Sequence, residues 1–110
     1  MITNKAHSTM AKMKLITKEV ENRLAKFPLY SQDGKEEKEV VVKFFNPYSG
    51  WRWFVTEGER QEDGDWLFFG LVEGIEKEWG YFTLSQLQSI PTPFNLGIER
   101  DKGFKGTVKI

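Results

Sequence analysis

Apolar residues at Ile16, Val20 and Leu24 recur four apart, with Thr17 immediately before the charged run Lys18-Glu19. That spacing predicts a short amphipathic helix capped by Thr17, because side chains four apart share one face and a threonine hydroxyl satisfies a free N–H of the first turn. Phe27-Pro28 ends it, and Ser31 to Lys38, polar and containing Asp33-Gly34, reads as a loop. At Val40 the period becomes two. Val40-Val41-Val42-Lys43-Phe44-Phe45 and Trp51-Arg52-Trp53-Phe54-Val55-Thr56 predict two strands joined through the turn Asn46-Pro47-Tyr48-Ser49-Gly50. A polar loop from Glu57 to Asp65 leads to a third strand, Trp66 to Val72, and Glu73-Gly74 leads to a fourth, Glu78 to Phe82. Thr83-Leu84-Ser85-Gln86 has the form of a capping box, opening a brief helix with Leu84 and Leu87 on one side and Pro91 and Pro93 beyond its end. Gly103 and Gly106 flank Phe104 in the tail, which reads as a last short edge strand ending in Val108 and Ile110.

Connections this short favour neighbours in space, so the pattern predicts an α+β fold: a four- to five-stranded antiparallel meander with two short helices. Residues 1–12 lack periodicity and read as a flexible arm, followed by a single domain over 13–110. Alternation sends Trp51, Trp53 and Val55 to one face of the sheet and Arg52, Phe54 and Thr56 to the other. It likewise divides Trp66, Phe68 and Val72 from Leu67, Phe69 and Leu71. Neither face is polar throughout, which calls for helices over one face and the tail or arm over the other. Gly70 and Gly80, inside strands, read as bulges or close backbone contacts.

Composition narrows the chemistry. The chain of 110 residues has no cysteine, which excludes disulfides, thiolate metal sites and cysteine nucleophiles and fits a reducing cytoplasm. Its polar start lacks the apolar run of a signal peptide, and no stretch approaches the roughly 20 apolar residues of a membrane helix, so a soluble, cytoplasmic protein without membrane contact is expected. The only histidine, His7, lies in the arm, which argues against a catalytic triad or an imidazole metal site. Glu62-Asp63-Gly64-Asp65 lacks the spaced oxygens and terminal glutamate of a calcium loop, and the glycines do not form a phosphate cradle. No enzyme activity, cofactor or metal is expected. An enzyme would need a pocket around Glu57 or Tyr81 with a strongly shifted ionisation.

Basic and acidic residues balance at 16 each, but they are segregated. From Glu57 to Glu78, eight acids face only Arg60 and Lys77, while four lysines precede Glu19 and the tail is basic again. Two surfaces therefore stand out for protein binding. One is the acidic segment Glu57, Glu59, Glu62, Asp63 and Asp65, with Trp66 as an aromatic anchor for a basic partner. The other is the second face of the sheet around Tyr48, Arg52 and Phe54. The bland reading of the acids is a solvated face, and that of the aromatics is core. Single-stranded nucleic acid ranks lower, because Lys43 and Arg52 are nearly alone among the sheet aromatics.

The motifs Met13 to Val20, Pro28-Leu29-Tyr30-Ser31-Gln32, Val42-Lys43-Phe44-Phe45, Ser49-Gly50-Trp51-Arg52-Trp53, Phe68-Phe69-Gly70-Leu71-Val72, Gly80-Tyr81-Phe82-Thr83-Leu84 and Ile98-Glu99-Arg100-Asp101 occur in this order. Together they resemble domain of unknown function twenty-nine fifty-eight, from about Met13 to Phe104. The extension before Met13 and Trp79, where a smaller residue is expected, depart from that pattern. The resemblance implies a protein of bacterial mobile elements, plasmid, phage or integrative, and carries no catalytic residues over. Small proteins of such elements often bind a host or rival machine, anti-CRISPR inhibitors being one class. A non-enzymatic binding module acting on a bacterial defence effector is the resulting expectation. The alternative is a nucleic-acid-binding accessory protein using the basic arm and tail.

Overall fold

The computed structural model describes residues 12–109. Helix α1, Lys18–Leu24, begins where the sequence places it: Val20 N–H donates to the Thr17 hydroxyl at 3.2 Å, and Val20 and Leu24 are buried. Strands follow as β1 (Lys38–Glu39), β2 (Val42–Phe45), β3 (Arg52–Arg60), β4 (Trp66–Glu73) and β5 (Lys77–Thr83). Helix α2, Leu84–Gln88, starts at the full capping box of Thr83 and Gln86. A 3₁₀ turn, Pro93–Asn95, and the two-residue strands β6 (Glu99–Arg100) and β7 (Thr107–Val108) complete the chain. The main sheet is antiparallel with order β5-β4-β3-β2-β6, and β1 pairs with β7 in a small second sheet. This is the α+β meander with two short helices, its fifth strand supplied by β6.

Three expectations change. The run from Val40 to Phe45 divides between the sheets: Val40 N–H donates to Gly106 carbonyl, and Val41 N–H to Val55 carbonyl. The tail strand, expected to reach Ile110, ends at Val108 among the described residues and joins β1 instead of the main sheet. The arm falls outside the described residues except for Lys12, whose ammonium donates to the Gln88 carbonyl at 2.7 Å. The third change matters most for the site. Glu57 to Arg60 are strand, not loop, and the register of β3 on β4 shifts between Val55 and Glu57, leaving Thr56 as the extra residue of a bulge.

That bulge resets the alternation. Before it Trp53 and Val55 face the helices; after it Gly58 does, so near that a Cβ there would sit 2.8 Å from Phe68 Cδ1. Glu57 is thereby turned to the outer face, in a row with Phe69 and Tyr81. Gly70 lies opposite Val55 beside the bulge, and a Cβ would strike the Phe54 carbonyl oxygen, so the close-contact reading of this glycine holds. Gly80 has open space around it instead.

The core lies between the sheet and the helical side. Leu15, Ile16, Val20 and Leu24 from the N-terminal segment and α1, with Leu87 of α2 and Ile98, close over Val42, Phe44, Trp53, Val55, Phe68 and Phe82. Phe68 sits at the centre, its ring 5.9 Å from Phe44 and 5.7 Å from Phe82. The outer face is covered by different means. Phe104 from the tail packs edge-on against Phe54 at 5.6 Å, and the Lys43 ammonium lies over both rings. Trp79 stacks on Phe69 at 5.8 Å, with the Lys38 ammonium above it.

Candidate functional site

The expected acidic segment divides into two kinds of carboxylate. Glu57 is 1% exposed, and both its oxygens are occupied: Oε1 accepts from Tyr30 N–H at 2.7 Å and Oε2 from Gln32 N–H at 3.1 Å. A buried carboxylate needs such donors, and charge-assisted bonds to backbone N–H groups are among the stronger hydrogen bonds. Gln32, equally buried, donates to the carbonyls of Glu39 and Thr56 and accepts from Glu39 N–H, which ties the loop to the strand at the bulge. Tyr30 is held at φ 74, in the left-handed region unusual for an aromatic residue. Hydrogen bonding with Tyr30 raises the Tyr81 phenol above its ordinary 10.0. Glu57 is therefore a residue of the fold, and its reading as an exposed partner contact is corrected. With its carboxylate occupied by N–H groups and Tyr81 exposed on the outer face, the two residues do not form an enclosed acid–base pair.

The remaining acids are more open. Glu59 accepts from Leu29 N–H at 3.2 Å but stays exposed. Glu62 and Asp63 are exposed in the β3–β4 turn, where Asp63 Oδ1 takes Asp65 N–H at 2.9 Å. Asp65 is held: Ser85 hydroxyl donates to Oδ2 at 2.6 Å, while Trp66 and Ser85 N–H groups donate to Oδ1. The bond from Ser85 leads the causes that keep the Asp65 carboxyl below its ordinary 3.8, outweighing its partial burial. Asp65 thus couples the β3–β4 turn to the start of α2.

Trp66 stacks on Phe68 at 6.3 Å and is half-buried against the core. It lines a groove of about 500 Å³ between α1 and the far end of β3, with Glu21, Glu59 and Arg60 as its charged residues. The structure therefore brings Trp66 and Glu59 together with Glu21, which the sequence reading missed. The helix pattern sets Glu21 beside the apolar stripe next to buried Val20, and only the packing of α1 against β3 brings it to Trp66.

The second expected surface is also divided. Phe54 is 7% exposed beneath Phe104 and Lys43, so it is core to the outer face and not a contact; this corrects its expected exposure. Arg52 bonds Glu73 at 3.0 Å, and Lys77 approaches the other oxygen of that carboxylate at 3.5 Å. Tyr48 remains exposed on the β2–β3 turn. Arg52 lines a shallow depression of about 300 Å³ with Lys43, Trp51 and Asp101. A third groove, about 390 Å³, is basic: Arg23, Lys26 and Lys105 line it with Glu39, Phe27 and Phe104, and Arg23 Nε is buried with no hydrogen-bond partner among the described residues.

Among the described residues no group of three or more His, Cys, Asp or Glu side chains is placed to hold a metal ion, and no helix is long and apolar enough to cross a membrane. The architecture is that of a small α+β protein whose grooves are open, with polar and aromatic linings. The chain belongs to the family described as protein of unknown function (DUF2958), whose model matches residues 15–110. No curated protein and no solved structure matches it.

Proposed function

We propose that this chain is a non-enzymatic protein-binding module of a phage or plasmid, acting in the cytoplasm as an inhibitor of a host defence effector of the anti-CRISPR type. The observation that supports this reading is the groove in which half-buried Trp66 lies beside Glu59, Glu21 and Arg60, followed along the chain by the exposed Glu62 and Asp63. An aromatic anchor bordered by carboxylates suits a basic partner surface, such as the groove an effector uses for nucleic acid. Asp65 supports the surface by fixing the turn on Ser85 and Trp66.

The test is a tagged recovery from bacterial lysate, with and without nuclease, comparing wild type with a variant carrying Glu59→Lys, Glu62→Lys and Asp63→Lys. The reading expects one stoichiometric protein that survives nuclease and is lost in the reversed variant. Recovery of nuclease-sensitive material alone, or equal recovery by both, contradicts it.

A second reading has its own observation. The groove of Arg23, Lys26 and Lys105 beside Phe27 and Phe104 offers cations next to aromatic rings. As a nucleic-acid-binding accessory protein, the chain would show affinity that falls steeply with salt and is weakened by Lys26→Ala with Lys105→Ala. An aromatic-centred protein contact would change little over the same salt range.

A further inference from the structure

The main sheet ends differently on its two sides. On one, β6 is two residues long, and beyond it Asp101 N–H turns back onto the Lys43 carbonyl at 2.9 Å. On the other, β5 runs seven residues in unbroken register with β4, with no proline and no bulge. Sheets usually shorten, kink or cover such an edge, because its unpaired N–H and C=O groups template another strand.

The phase of the ladder shows which groups are free. The Lys43 carbonyl faces β6, and Asn46 N–H bonds the Trp51 carbonyl across the β2–β3 hairpin. Carried through the registers Phe44↔Trp53, Phe54↔Leu71 and Gly70↔Gly80, the alternation turns Gly80 and Phe82 toward β4. The N–H and C=O groups of Trp79 and Tyr81 then point outward, and among the described residues nothing pairs with them.

We propose that this edge pairs with β5 of a second copy of the chain, antiparallel about a two-fold axis at Gly80, joining the two main sheets into one. This is the register in which Lys77–Thr83 overlaps its copy along its full length. It places Trp79 opposite the second copy's Tyr81, and the reverse, with each pair exchanging both backbone bonds. Aromatic residues directly opposite one another are favourable cross-strand pairs. Lys77 faces Thr83 and Glu78 faces Phe82, so no like charges meet. At the axis Gly80 meets Gly80, and a Cβ built there has no neighbour within 4 Å, so a cysteine fits at this position. The interface is isologous and closed, as a two-fold contact requires.

The absence of cysteine makes the test direct. Residues opposed across an antiparallel pair have Cα atoms about 4.5–5.5 Å apart, within disulfide reach. Gly80→Cys should therefore oxidise to a disulfide dimer, whereas the thiols of Glu78→Cys would lie about 14 Å apart along the paired strands and should not. Held thiols meet at effective millimolar concentration, so position 80 should cross-link on the order of a hundredfold faster than position 78. Light scattering of the wild type over a concentration series should reach twice the 12.8 kDa chain mass. A monomeric mass at every concentration overturns the proposal, as do equal cross-linking rates at the two positions. A foreign extended segment recovered on this edge of a monomeric chain overturns it as well, by giving the edge to another occupant.

Discussion

The two faces of the central sheet are closed by different physics. Toward the helices, Val20, Leu24, Phe44, Val55, Phe68 and Leu87 are buried at 0–1% exposure, and the contact is apolar packing. On the other face, single polar groups hold a loop and a tail in place: Glu57 on two backbone N–H groups, Gln32 across to Glu39 and Thr56, and Lys43 over two rings. The first arrangement tolerates exchange of one apolar side chain for another of similar volume. The second depends on particular atoms, because an amide or carboxylate that loses its partner in a buried position destabilises the fold. Carboxylates along one segment therefore have unequal roles, and charge count does not distinguish them.

The largest effect is expected on the apolar face. Phe44→Ala removes a fully buried ring that packs on Phe68 and should cost about 3–5 kcal/mol in chemical denaturation. A loss below about 1 kcal/mol would mean the helical face is not the main core. Glu57→Ala leaves the Tyr30 and Gln32 N–H groups without their acceptor and should cost about 2–3 kcal/mol. Hydrogen exchange should locate that effect: protection is lost at Tyr30 and Gln32 while the α1 amides keep theirs. Uniform loss over both faces would contradict the separation. Thr17→Ala, which removes the α1 cap, should cost about 1 kcal/mol.

A smaller effect follows pH. Ser85 keeps the Asp65 carboxyl below 3.8 in the folded chain, so this contribution is fully present above the unfolded carboxylate range and is lost as pH falls through the lower folded value. Stability measured downward from pH 5 should therefore decline more steeply in wild type than in Asp65→Asn. Parallel curves would remove Asp65 as the link between the β3–β4 turn and α2.

Much of the fold was legible because its signals are local. Thr17 and the Thr83–Gln86 box identify helix starts through hydrogen bonds spanning three residues, and alternation groups Trp53 with Val55 on one face, which the structure shows to be the helical one. The outer face was not legible in the same way. Alternation places Phe54 there but says nothing of Phe104 lying on it, a contact across fifty positions of chain. The charged sequence Glu57-Gly58-Glu59-Arg60 reads as loop, since nothing in it announces the bulge at Thr56 that redirects Glu57. Val40 to Phe45 is a continuous run of strand formers, and only the tail's pairing with Lys38 and Glu39 divides it. Of the candidate site, Trp66 and the exposed Glu59, Glu62 and Asp63 were visible as chemistry; the contribution of Glu21 needed the packing of α1 against β3.

Glu57 builds the fold, while Glu59, Glu62 and Asp63 are exposed and, under the proposed function, meet the partner. The most direct test measures partner recovery and unfolding free energy together for the Glu59→Lys, Glu62→Lys, Asp63→Lys variant. Unfolding should stay within about 1 kcal/mol of wild type, as expected for exposed charges, with recovery of the nuclease-resistant partner abolished. Recovery equal to wild type by a folded variant would contradict it.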